Sequence, residues 1–174
     1  RMPETAMPGA RTLNMRDLGS DLCSKTLAPP VRALMVYNAN PLVALPNQNL
    51  VRKGLAREDL FTVVHELFLT ETARYADYVL PATSQIECLD IVPAWGHHYL
   101  SLNQPAIAPV GESVSNTELF RRLARALGRT EEWLFESDES MLRAALASGH
   151  PWLEGIPYER LQREGYVRLN QPED

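Results

Sequence analysis

Two short runs of the chain carry side chains suited to holding a polar ligand. The first is Asn38-Ala39-Asn40-Pro41; the second is His65-Glu66, with Thr70 just downstream. An asparagine amide donates and accepts, a carboxylate accepts through two oxygens, and a threonine ahead of a helix sits beside free backbone amides that favour phosphate. Together they suit a nucleotide, with the carboxylate taking ribose hydroxyls or the N1 and exocyclic amine of guanine. Each residue also has a plain structural use. Asn-Pro is a common turn, Thr70 serves as an N-cap, and His65 can simply close a strand.

Other chemistries find no footing. Neither GxGxxG nor GxxxxGK[ST] occurs, and no serine stands in a GxSxG elbow. The two cysteines, Cys23 and Cys88, form no CxxC pair and read as small packed thiols. His97 and His98 are adjacent, so on an extended chain they point to opposite faces and do not pair on a metal. Arg121, Arg122 and Arg125 read as a solvated helix face, partly neutralised by Glu118. Asp77 stands at the amino end of a strand, the wrong edge for a ligand, and reads as structural.

The elements that must position these groups follow from periodicity. Met15, Leu18 and Leu22 lie at helical spacing, and Pro29-Pro30 stops that run. Ala33–Tyr37, Leu60–His65 and Tyr78–Leu80 are short continuous apolar runs of strand length. A weak helix around Leu50–Leu55 and a short helical stretch from Thr70 to Ala76 separate them. Strands apolar on both faces, linked by helical crossovers, predict an α/β fold: a three-layer, Rossmann-like, doubly wound and mostly parallel sheet with flanking helices. In such a sheet ligands bind outside the carboxyl ends of the strands, where Asn38, Asn40, His65, Glu66 and Thr70 fall. Downstream, Ser115-Asn116-Thr117-Glu118 predicts a reciprocal capping box for a helix ending at Gly128, and Ser137 caps a second helix running to Gly149.

Composition bounds the function class. The 174 residues predict one domain, with a linker and short helix over 1–30, an α/β core over 31–130 and a helical and loop tail over 131–174. Fifteen arginines and two lysines against 22 acidic residues leave a net charge of −5, which argues against nucleic acid as a partner. No apolar run approaches the roughly 20 residues of a membrane span, so no membrane insertion is expected. The chain opens on Arg1, which is expected of a piece cut from something longer.

The run ALMVYNANP from Ala33 to Pro41, followed by LFTVVHELFLTETARYADYVLPATSQIE from Leu60 to Glu87, resembles the molybdopterin oxidoreductase superfamily. Its pattern is a strand ending in an Asn-Pro turn, a second strand, a TxTAxxAD segment and a VLP strand followed by Glu. Pro109-Val110-Gly111-Glu112 with Asn116, and a helix ending in Leu127-Gly128, also fit; the resemblance covers about residues 13–130 and, more weakly, the tail. It implies an internal part of an oxidoreductase several hundred residues long that carries a molybdenum or tungsten bis-molybdopterin guanine dinucleotide. The family's cofactor contacts fall on Asn40, His65, Glu66, Cys88 and Asn116; position alone adds Asn38 and Thr70. The family often has aspartate at the place of Glu66, and a polar or basic residue at that of Cys88.

The resemblance further implies that the metal ligand lies outside this piece, that no cofactor stays bound to it alone, and that it is catalytically silent by itself. The remaining domains of the parent are its expected partners, with an iron–sulfur electron-transfer subunit as a further one. The alternative, of a different class, is a non-catalytic α/β binding or interaction module.

Overall fold

The computed structural model of the chain describes residues 9–172; the first eight residues of the linker expected within 1–30 lie outside them. The contacts divide the chain into two compact units, separated between Leu80 and Pro81, where the sequence predicted one.

The first unit is built on the three predicted strands, β1 (Ala33–Tyr37), β2 (Phe61–Glu66) and β3 (Tyr78–Pro81), in the spatial order β1-β2-β3. β1 and β2 pair in parallel from Ala33 opposite Phe61 to Tyr37 opposite His65. β3 runs the same way: Asp77 meets Thr62 at one end, and the Leu80 carbonyl meets His65 at the other. Helices α1 (Leu18–Cys23), α2 (Pro41–Ala44) and α3 (Gln48–Leu55) bring Leu22, Leu42, Val51 and Leu55 onto a core that includes Leu34 and Leu60. Val36, Val64 and Ala73 continue it, so this face of the sheet is covered. Met15, expected on the stripe of the first helix, is instead exposed within a 3₁₀ turn (Met15–Asp17), and the stripe starts at Leu18.

The opposite face is only partly closed. Phe61 and Tyr78 are exposed there, their rings 5.9 Å apart, while His65 at the carboxyl end is buried. The strand order has no reversal, which is the defining feature of a doubly wound sheet. The α/β reading with a parallel sheet and flanking helices therefore stands, and the double winding is not present in this unit. The helical stretch expected from Thr70 to Ala76 is a single 3₁₀ turn (Ala73–Tyr75). It has no room to grow, because Asp77 must already lie beside Thr62.

The second unit departs from a parallel architecture. β4 (Asp90–Pro93), β5 (Tyr99–Asn103) and β6 (Tyr166–Arg168) form a separate antiparallel sheet in the order β4-β5-β6. Helices α4 (Asn116–Ala126), α5 (Asp138–Leu146) and α6 (Tyr158–Glu164) complete the unit. Its core joins Leu100 and Leu102 to Leu146, Ile156, Leu161 and Val167. The segment over 131–174, expected as helix and loop, thus supplies an edge strand and most of this core. Its elements are three to nine residues long, too short to show a period. The predicted capping box at Ser115 forms by half. Ser115 Oγ accepts from the Glu118 amide at 3.2 Å, but the Glu118 carboxylate turns to Arg122 at 3.0 Å.

One close approach fixes the helix layer of the first unit. A Cβ at Gly54 of α3 would sit 2.5 Å from Cβ of Leu22 in α1, and one at Gly19 would sit 2.7 Å from the Val51 amide nitrogen. Both glycines let the helix backbones touch over a core with no slack. Gly54→Ala should therefore cost about 2 kcal/mol despite its better helix propensity, read as a lower urea midpoint with unchanged slope.

Candidate functional site

In the first unit the parallel register gathers five expected residues at one end of the sheet. Tyr37 is opposite His65, so the segments after β1 and β2 leave side by side, carrying Asn38 and Asn40 on one and Glu66 and Thr70 on the other. Asn38 is exposed in the left-handed region at φ 52°, a conformation asparagine tolerates, and it reverses the chain into α2. Asn40 precedes α2, and its carbonyl accepts from the Val43 and Ala44 amides.

The Asn40 side chain is engaged from one side. The buried Thr72 hydroxyl donates to Asn40 Oδ1 at 2.6 Å and accepts from the Leu42 amide at 3.0 Å. Among the described residues the Asn40 Nδ2 group has no partner. Glu66 uses one carboxylate oxygen, Oε1, to accept from the Leu67 amide at 2.7 Å, and Oε2 remains for a further donor. Thr70 Oγ1 accepts from the Ala73 amide at 3.2 Å. The turn it caps is three residues long, so it offers no run of helical amides to a phosphate.

His65 is placed differently from the other four. Its ring is fully buried, with Nδ1 3.2 Å from the Leu80 carbonyl oxygen and Nε2 without a partner. That arrangement fits the neutral tautomer with its proton on Nδ1. It ties β2 to β3 instead of meeting solvent. Asp77 does the same at the other end: its carboxylate accepts from the Thr62 amide at 2.7 Å, and its own amide donates to the Thr62 carbonyl at 2.8 Å.

In the second unit the structure brings Cys88 and Asn116 together. Both line a cavity of about 200 Å³ with Thr83, Asp90, Thr117 and Asp138. Asn116 is the first residue of α4. Cys88 is held by the turn before it, where the Glu87 carboxylate accepts from the Ser84 and Val110 amides, each at 2.7 Å. Hydrogen bonds from the Ser84 side chain and backbone, then from Val110, keep the Glu87 carboxyl below the usual carboxylate range. Burial pushes the Cys88 thiol up, and the charges of Asp90 and Asp138 push it further, so it is a neutral thiol at pH 7 and a poor metal ligand. The Arg121 side chain, only 11% exposed, donates to Asp138 at 2.6 Å and to the Glu136 carbonyl at 2.8 Å. It is thus the internal strut of this cavity and no part of a solvated face; the neighbouring Arg125 stacks over Phe135 at 5.4 Å.

Sequence reasoning missed Thr72 and Asp138. The Thr-x-Thr spacing of Thr70-Glu71-Thr72 was the available signal for the first. Nothing local marked Asp138 except its place at the start of α5. Among the described residues no group of three or more His, Cys, Asp or Glu side chains is placed to hold a metal ion.

The comparisons with known proteins bear on the whole chain. Residues 5–126 match the family model described as molybdopterin oxidoreductase. A probable oxidoreductase, YoaE, of Bacillus subtilis is 50% identical over 162 residues, spanning 92% of this chain and 24% of that protein. The assimilatory nitrate reductase catalytic subunit of the same organism is 34% identical, over 82% of this chain and 20% of that protein. Among solved structures, acetylene hydratase from Pelobacter acetylenicus superposes with a TM-score of 0.72 at 27% identity, covering 91% of this chain and 21% of the other. The chain therefore spans about a fifth to a quarter of the length of these relatives.

Burial of His65 makes a pH prediction. Desolvation lowers its pKa, against the weaker opposing effects of the Leu80 carbonyl and the Glu66 charge. The unfolded imidazole titrates near 6.5, so below that pH the unfolded chain binds a proton that the folded one does not. Stability is full above about pH 6.5 and falls as the pH drops, with a slope of up to about 1.4 kcal/mol per pH unit. Urea midpoints between pH 7.5 and 5.5 should show this fall, and His65→Asn should flatten it.

Proposed function

Because this chain belongs to the molybdopterin oxidoreductase family, we propose that it forms part of a molybdopterin-dependent oxidoreductase and binds the guanosine end of a pterin guanine dinucleotide. The observation that carries this reading is the pair of side chains left unfilled where β1 and β2 end. Asn40 has an unpartnered amide nitrogen and Glu66 an unpartnered carboxylate oxygen. Guanine presents the matching set on one edge, an O6 acceptor beside N1–H and N2–H₂ donors.

The donor set of the second unit fits a nucleoside as well. Asn116, Thr117 and Asp138 line a cavity whose carboxylates favour donors, such as ribose hydroxyls or the guanine amide edge. Cys88 contributes a neutral, weakly polar wall. Asn38 and Thr70 act as turn and cap, and His65 holds the strand from which Glu66 projects.

The bound cofactor would supply two-electron oxidation or reduction of a small substrate through its metal; the part of this chain is to bind and orient. With the metal ligand supplied elsewhere, the chain alone is catalytically silent. The rest of a longer protein is its partner, and an iron–sulfur subunit is a further one.

Calorimetric titration with GMP and GDP tests the reading directly. The chain should bind GDP, and Glu66→Ala should weaken that binding about tenfold, the effect of losing one charge-assisted hydrogen bond. An alanine variant that binds as tightly as the parent sinks the proposal and leaves the non-catalytic interaction module as the reading.

A further inference from the structure

We propose that Thr72 is a positioning residue that sets the polarity of Asn40, so that this position of the site is a hydrogen-bond donor and selects an acceptor on its ligand. An asparagine side chain is symmetric in shape and opposite in function at its two ends. Which end faces a ligand is decided by what holds the other. Here the partner is a threonine hydroxyl that is fully buried and has one proton to give. One side of that oxygen already accepts from the Leu42 amide at 3.0 Å. Its proton goes to Asn40 Oδ1 at 2.6 Å, the one acceptor it reaches among the described residues.

The opposite orientation of the amide would leave a buried hydroxyl proton unpaired, at a cost that folded proteins rarely accept. Oδ1 is therefore committed to the interior. Nδ2, with two protons and no protein partner, is the end left over. The three groups form a chain, Leu42 amide to Thr72 hydroxyl to Asn40 carbonyl oxygen, in which each bond polarises the next. The same chain anchors α2 to the segment after β2, since Leu42 lies in α2 and Thr72 just ahead of the 3₁₀ turn at Ala73.

The consequence for recognition is specific. A ligand meeting Asn40 must offer an acceptor: a carbonyl such as guanine O6, a ribose oxygen or a phosphoryl oxygen. An amino group in that place, as in adenine, would face two protons. This inference rests on the proposed contact of Asn40 with the nucleotide, but the orientation of the amide is a property of the protein alone and can be read without ligand.

The test uses Thr72→Val, Thr72→Ser and Asn40→Asp in the whole chain, with GDP as the probe and NMR as a second measurement. Valine keeps the shape of threonine and removes the hydroxyl. It should shift the Asn40 side-chain amide resonances and weaken GDP binding about tenfold, and serine should restore both. Asn40→Asp keeps an acceptor for Thr72 and removes both donors. It should retain a slowly exchanging Thr72 hydroxyl proton while losing GDP binding. A valine variant with unmoved Asn40 resonances and parental affinity overturns the inference, as does an aspartate variant that still binds GDP. If the parent chain binds no GDP, the nucleotide reading fails, and the resonance shift with its rescue by serine decides the orientation of Asn40 alone. If valine prevents folding, the hydroxyl exchange in the parent and in Asn40→Asp decides instead, and fast exchange in both overturns it.

Discussion

A polar group taken out of water must find a partner, and in the first unit that requirement organises the sheet more than any apolar contact does. The strands are short, and their apolar residues would tolerate several registers. Asp77 and Thr62 exchange two hydrogen bonds at one end, while His65 and the Leu80 carbonyl meet at the other. Shifting β3 by one residue would break both at once. The helix layer obeys a matching steric constraint, because Gly19 and Gly54 leave no room for α1 and α3 to slide. Register and layer together deliver Asn40 and Glu66 to adjacent strand ends.

Among the described residues, two buried side-chain atoms escape the pairing rule, Thr62 Oγ1 and His65 Nε2. Burial disfavours a second proton on the imidazole because it takes the charged ring out of water, and the added Nε2–H would meet no acceptor among the described residues. The cost is bearable because only the neutral form is buried. Thr72 is the contrast: a buried hydroxyl with both its functions used, and for that reason a fixed one.

How much of this was legible in the sequence depended on the length and burial of each element. Strands β1, β2 and β3 announce themselves as unbroken apolar runs, and their order alone puts Asn38, Asn40, His65, Glu66 and Thr70 at one edge. Strands β4 and β6 do not, being four and three residues long, with no fully buried residue in β4 and only Val167 buried in β6. The tail predicts helix and loop because Ile156 lies in a connecting loop while Leu161 and Val167 sit in two separate short elements, and no periodicity links them. For Arg121 the reason is different. The local charge pattern predicts its approach to Glu118, which forms at 3.8 Å, but its burial comes from Asp138, 17 residues away on another helix. The buried state of His65 was equally invisible, since a histidine at a strand end faces solvent or core according to what packs over it.

Charge distinguishes the polar side chains of the two units, each taken by itself. The second unit's cavity holds Asp90 and Asp138, and only Asp138 is matched by a nearby arginine. With a neutral Cys88 in the same lining, that cavity repels a phosphate and welcomes N–H and O–H donors. A basic residue at position 88 would have drawn a pyrophosphate there; a thiol held neutral by burial and then by the charges of Asp90 and Asp138 does not. In the first unit, Thr70 is committed to a three-residue turn and offers no helical amides to an anion. Among the described residues, neither group of polar side chains forms a cradle for phosphate, and on the proposed reading both suit a base or ribose contact. On the proposed reading this chain reads the nucleoside, and the charge of the diphosphate is neutralised by groups outside it.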